Sequence, residues 1–122
     1  VRPRILAGNE ISSQSYIEAM QQRLEDQVVF QTALQPFDAL ITPTTMTPAV
    51  VVSTINQLDT PAHFTRAANY LDMCGLTLPM GLTEEGLPAG LQIMASAHCE
   101  PIVLQIGAAF EKVAPIVGSP PV

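Results

Sequence analysis

The sequence predicts a mixed α/β chain in which a β-hairpin is packed by helices. Three observations carry this. Apolar residues recur at spacings of three and four through residues 11–37, which is the period of a helix. Two apolar runs, LTLPMGL and LPAGLQIMA, flank a Gly-containing turn at residues 83–86, which is a hairpin pattern. A second helical pattern, CEPIVLQIGAAFEKV, follows the hairpin. The expected order is helix, strand, long loop, helix, hairpin, helix, a layered arrangement.

The first helix is read in ISSQSYIEAMQQRLEDQVVFQTALQPF, with Ile17, Met20, Leu24, Val28 and Leu34 on one stripe. Ser12, Ser13 and Ser15 offer N-caps, and Ser15 with Glu18 has capping-box spacing. Pro36 ends the pattern by removing an N–H and disfavouring helix before it. The run DALIT, residues 38–42, is too short for a helix and reads as a buried strand. The proline- and threonine-rich stretch to residue 61 reads as a long irregular connection with a short extended piece at residues 50–52.

Thr60 followed by Pro61 is a helix start, an N-cap oxygen and then proline at the first helical position. Phe64, Ala67, Ala68, Leu71 and Met73 supply the buried side of that helix, and Gly75 its exit. In the hairpin, Leu76, Leu78, Leu91 and Ile93 form the buried face and Glu84 and Glu85 the wet turn. Pro79 cannot donate to a ladder and marks a strand end, an edge or a bulge. Pro101 opens the last helix, whose stripe is Ile102, Ile106, Ala109 and Val113. Residues 113–122 read as an extended tail on a single unit spanning residues 1–122.

Charged residues make up only 13% of the 122 positions, about half the roughly 25% of soluble domains. So few charges suggest that part of the surface faces other protein. The net charge of −6, with five Lys and Arg, leaves no basic stripe for phosphates and argues against nucleic-acid binding. The apolar runs are broken well short of the roughly 18 residues a membrane span needs, and VRPRILAGNEISS lacks the apolar stretch that a signal peptide requires. A start without Met is consistent with an excised piece. Cys74 and Cys99 have neither metal spacing nor a disulfide framework, so a reducing, cytoplasmic setting is expected.

No complete catalytic constellation is visible. His63 and His98 have no metal partner at ligand spacing. GLPAG lies inside the hairpin, not between a strand and a helix, so it is no phosphate loop.

The ordered set VRPRILAGNEISSQSYIEAMQQR, FDALITPTT, HFTRAANYLDMCGLTLPMGLTEEGLPAGLQIMA and AFEK resembles the C-terminal part of amidase signature enzymes, over roughly residues 2–112. The resemblance implies a mixed sheet flanked by helices, amide-bond hydrolysis by a Ser–cis-Ser–Lys set, and no metal or organic cofactor. It places every catalytic residue upstream, where no position of this chain matches. The only lysine, Lys112, is not the catalytic one. The piece is therefore expected to be inactive alone, to pack on the missing N-terminal part, and to line a pocket for a small amide or ureido substrate.

Thr44, Thr45, His63, Arg66 and Asn69 are the candidate substrate-binding residues. Thr44 and Thr45 follow a strand end, where ligand crevices form in α/β folds; loop and cap hydrogen bonding is their other reading. The bland reading of His63 and Arg66 is a solvated face, and that of Asn69 is a tie between loop backbone segments; for all three it is the commoner one for such residues. NYLDMCGLTLPMG is similar to the branch containing allophanate hydrolases and related small-amide or ureido hydrolases. Amidotransferase members of the family carry an Asp where this chain has Ala62. Two alternatives stay open. One is a non-catalytic binding or assembly module, which could be a homo-oligomer. The other is a piece of an amidotransferase A-type subunit.

Overall fold

A computed structural model describes residues 2–56, 62–114 and 117–118. In chain order the elements are α1 (Arg2–Leu6), a 3-10 turn (Ala7–Glu10), α2 (Ser13–Leu34), β1 (Leu40–Pro43), a second 3-10 turn (Val52–Thr54), α3 (Thr65–Tyr70), β2 (Met73–Leu82), β3 (Pro88–Ser96) and α4 (Glu100–Glu111). The mixed layering expected from the sequence is present. The short helix α1 is an addition to the expected order. The expected helix start at Thr60 and Pro61 lies outside the described residues, as does most of the tail.

The sheet has three antiparallel strands in the order β1-β3-β2. β2 and β3 form the expected hairpin. Its turn closes through Thr83 N to Leu87 O at 2.8 Å and Gly86 N to Thr83 O at 2.9 Å. Gly86 takes φ +77°, a left-handed conformation that glycine adopts without steric cost. Pro79 pairs with Gly90 and Gly81 with Ala89, so Met80 is the extra residue of a β-bulge. The proline thus sits on an edge strand beside a bulge, two of the places where its missing N–H costs no ladder bond.

Alternation separates the two faces of the hairpin. Ile93, Ala95 and Val103 form the buried core, with Cys74, Leu76, Leu78, Leu91, Cys99 and Ile106 packed against it. All four hairpin residues expected on the inner face are therefore there. Burial of an aliphatic side chain of this size contributes about 1.5–3 kcal/mol, so this cluster is the main apolar attachment of α4. Both cysteines are free and half-buried.

Several expectations are corrected. The inner face of α4 centres on Val103 and Gly107, the buried residues of that helix. Of the expected stripe, Ile102 and Ile106 are half-buried, with Ile106 packed against the core, while Ala109 and Val113 are exposed. The N-cap of α2 is Ser12, whose Oγ accepts from Ser15 N at 3.1 Å. Glu18 instead accepts from Gln14 Nε2 at 2.8 Å, so no capping box forms from Ser15. The exit from α3 is made by Asp72 at φ +56°, and Gly75 lies inside β2. Asp tolerates the left-handed region because its short side chain can bond locally.

β1 is an edge strand whose residues alternate half-buried and exposed. Ile41 pairs with Ile93 and so shares the α4 side of the sheet, yet it is 53% exposed. α4 packs chiefly on β2 and β3. The α2 stripe is likewise open: Ile17, Leu24 and Val28 are 56%, 59% and 67% exposed, and only Leu34 is buried. Among the described residues, no helix is long and apolar enough to cross a membrane.

Candidate functional site

The six residues of α3 are too few to hold a helix by themselves. Side chains from two other elements fix its ends. At the exit, Arg23 of α2 donates from Nε to the Tyr70 carbonyl at 2.7 Å and from a terminal nitrogen to the Asn69 carbonyl at 3.3 Å. Gln27, one helical turn on, donates to the Tyr70 carbonyl at 3.4 Å. These carbonyls end a helix and lack intrahelical partners, so a guanidinium suits them in both geometry and charge. Tyr70 donates its hydroxyl to Asp26 Oδ2 at 2.7 Å. That bond, with smaller contributions from desolvation and from the Asp26 charge, raises the phenol above its ordinary value of 10.0.

Arg23, Arg66, Ala67, Asn69 and Tyr70 line an open groove between α2 and α3. The structure thus brings two of the candidate residues, Arg66 and Asn69, to one place. Asn69 spends its side-chain amide on its own helix, donating to Thr65 O at 3.4 Å. His63 stands in the exposed turn before α3, its ring edge-on to Phe64 at 5.0 Å and 86°. A second depression is lined by Gln27, Gln31, Leu71, Asp72, Ser96 and Ala97. There Ser96 Oγ donates to Gln31 Oε1 at 2.7 Å.

Thr44 and Thr45 lie at the end of β1, away from this groove lining. Thr44 N donates to Gly90 O at 2.8 Å, and its hydroxyl lies 3.5 Å from that of Thr77. Thr45 Oγ1 donates to Thr47 O at 2.7 Å and closes a local turn. Among the described residues, no three His, Cys, Asp or Glu side chains gather into a metal site.

Arg23, Asp26, Tyr70 and Gln92 are not singled out by the sequence pattern. For Gln92 there was a signal, a lone amide inside the apolar run GLQIMA. For Arg23 and Gln27 the signal was their spacing of four, which puts them on one helix face.

The sequence pattern of the family described as Amidase matches residues 1–104. The chain belongs to the amidase family. Among proteins similar to this amidase chain is the A subunit of glutamyl-tRNA(Gln) amidotransferase from Acidobacterium capsulatum, 34% identical over 91% of this chain and 25% of that relative. Its mitochondrial counterpart from Mus musculus is 33% identical over 92% of the chain and 24% of its own length. A crystal structure of an amidase superposes with a TM-score of 0.84 at 25% identity, covering 93% of this chain and 28% of that one. The A subunit of the Thermotoga maritima glutamyl-tRNA(Gln) amidotransferase gives 0.74 at 29% identity, over 93% and 27%. The chain spans about a quarter of the length of the curated relatives it matches.

Proposed function

We propose that residues 1–122 act as one unit, the C-terminal wall of an amide-bond hydrolase. In this reading the chain covers the sheet of the intact enzyme and lines its substrate pocket. The observation that carries it is the combination of an amidase match over residues 1–104 with apolar faces left open at Ile41 and along α2. An amphipathic helix stripe left open in this way is the kind of surface that packs on other protein.

Thr44 and Thr45 at the strand end, with His63, Arg66 and Asn69 on and before α3, supply polar groups to the substrate. The substrate is a small amide or ureido compound. No side chain of this piece attacks the carbonyl. The Ser–cis-Ser–Lys set and its backbone oxyanion donors come from the upstream part of the fold, by the general logic of an activated nucleophile and a preorganised oxyanion site.

Ammonia release from simple amides and ureido compounds tests this reading. The native polypeptide that carries this sequence is expected to be active and residues 1–122 inactive. Turnover by residues 1–122 alone would overturn it. A second reading is supported by the names of the curated relatives: an amidotransferase A-type subunit. Ala62, where such subunits carry Asp, weighs against it. Ammonia released from glutamine in preference to simple amides would favour the second reading.

A further inference from the structure

Gln92 sits on the central strand β3 and is 4% exposed, a buried amide on the sheet face away from α4. A buried amide is costly unless its hydrogen-bonding groups find partners. Gln92 Nε2 lies 3.4 Å from the Phe64 carbonyl and 2.9 Å from Met94 Sδ. Thioether sulfur is a weak acceptor, so the stronger of the two partners is the carbonyl of the residue that caps α3.

Phe64 brings no side-chain cap bond of its own. The beginning of α3 is therefore tied to the sheet by Gln92, as its end is tied to α2 by Arg23. Gln92 pairs in register with Thr42 on β1 and Thr77 on β2. Thr77 is in turn 3.5 Å, hydroxyl to hydroxyl, from Thr44. Thr42, Thr77 and Gln92 thus share one row of the face away from α4, with Thr44 against Thr77 at one side and the entry of α3 bonded to Gln92.

We propose that Gln92 is a positioning residue: its buried amide fixes α3 against the sheet, and so sets the distance between the Thr44 side and the Arg66–Asn69 side of the substrate pocket. Its effect on substrate rests on the reading of α3 as a pocket wall; the anchoring of α3 does not. Gln92 would touch no reacting atom.

The test uses the native polypeptide that carries this sequence. Gln92→Met keeps the side-chain volume and removes the donor. The expected result is about tenfold faster amide exchange in α3, with β2 and β3 within about twofold of wild type. For amide hydrolysis, KM rises about tenfold and kcat stays within about threefold. Gln92→Asn, which keeps an amide but withdraws it by one methylene, is expected to give the same pattern and covers the case in which the Met variant fails to fold. Unchanged exchange in α3, an equal rise in β2 and β3, or a loss confined to kcat would each overturn the proposal. A wild-type protein that hydrolyses no amide would instead overturn the hydrolase reading, and the exchange measurements would still decide the anchoring.

Discussion

Arg23 Nε donates to the Tyr70 carbonyl at 2.7 Å, so a side chain of α2 closes the C-terminal end of α3. Arg23→Ala leaves the Asn69 and Tyr70 carbonyls without this partner. A charge-assisted bond is worth about 1.5–3 kcal/mol when buried, and its half-exposed setting reduces that to about 1 kcal/mol. Arg23→Lys should recover part of the loss, because an ammonium can reach one carbonyl but lacks the planar fork. Urea unfolding midpoints of the three proteins check the order wild type, Lys, Ala.

The Tyr70–Asp26 bond makes a prediction about alkaline pH. The folded-state pKa of Tyr70 is raised, first by the hydrogen bond to Asp26. The stability linked to this shift is fully present below the unfolded phenol value. It is lost as pH rises through the folded one. Asp26→Asn removes the negative charge and the ionic acceptor, so the Tyr70 transition should move to lower pH. Ring-proton shifts of Tyr70, followed by NMR from neutral to strongly alkaline pH, read this directly. A transition that stays in place in the Asn variant would show that Asp26 does not set it.

The parts of the fold that were legible in the sequence are those whose signals are local. The hairpin follows from two apolar runs and a Gly-containing turn, and Pro79, which cannot donate, marks a strand end, an edge or a bulge, of which the structure shows an edge strand beside a bulge. The face of α4 includes the expected Ile106 but is centred one position later, because Val103 and Ile102 are equally apolar. Only Gly107, which lets Leu76 and Leu78 approach, decides between them. The α2 stripe was legible as a pattern, but whether it is covered depends on chain that the pattern does not contain. At the site, Arg66 and Asn69 could be named from one helix. Their neighbour Arg23 is 43 positions before Arg66 and came into view only with the packing.

Gly107 is where α4 comes closest to the sheet. A Cβ there would lie 2.5 Å from Leu76 Cδ2 and 3.1 Å from Leu78 Cδ1. Gly107→Ala therefore sets a gain in helix propensity, about 1 kcal/mol, against overpacking of about 1–3 kcal/mol. The Leu76 contact is too short to be absorbed without movement, so the net effect should be destabilising. Pairing it with Leu76→Val, which withdraws the clashing methyl, should restore part of the loss. Thermal unfolding of the single and double variants measures the coupling.

Gly90 plays the same part on the opposite face, beside a candidate substrate residue. Its Cβ would meet Thr44 Oγ1 at 2.7 Å, Thr44 Cβ at 3.2 Å and Thr77 Cγ2 at 3.3 Å. Gly90→Ala should cost about 1–3 kcal/mol and push the Thr44 hydroxyl away from Thr77. Thr44→Ala in the same chain removes the shortest contact and should recover part of the stability. If Thr44 serves the pocket, the double variant regains stability without regaining substrate affinity. Denaturation and KM, measured on the same preparations, separate the two outcomes.

The exposed stripe of α2 tests whether this chain packs against more protein. Ile17 and Leu24 are 56% and 59% exposed in residues 1–122. If water covers them in the native polypeptide, Ile17→Gln and Leu24→Gln should change stability by no more than about 0.5 kcal/mol, as surface substitutions do. If they are buried against the remainder of an amidase fold, each replacement strands an amide in an apolar contact. The cost then rises to about 2–3 kcal/mol, the lost aliphatic burial plus the unpaired polar group. Glu25, on a different side of the same helix, serves as the control, with Glu25→Gln expected to be neutral. Denaturant titration of the three variants in the native polypeptide should place Ile17 and Leu24 at the larger value. A result near that of Glu25 would instead leave the stripe facing solvent and remove the main physical support for a covered α2.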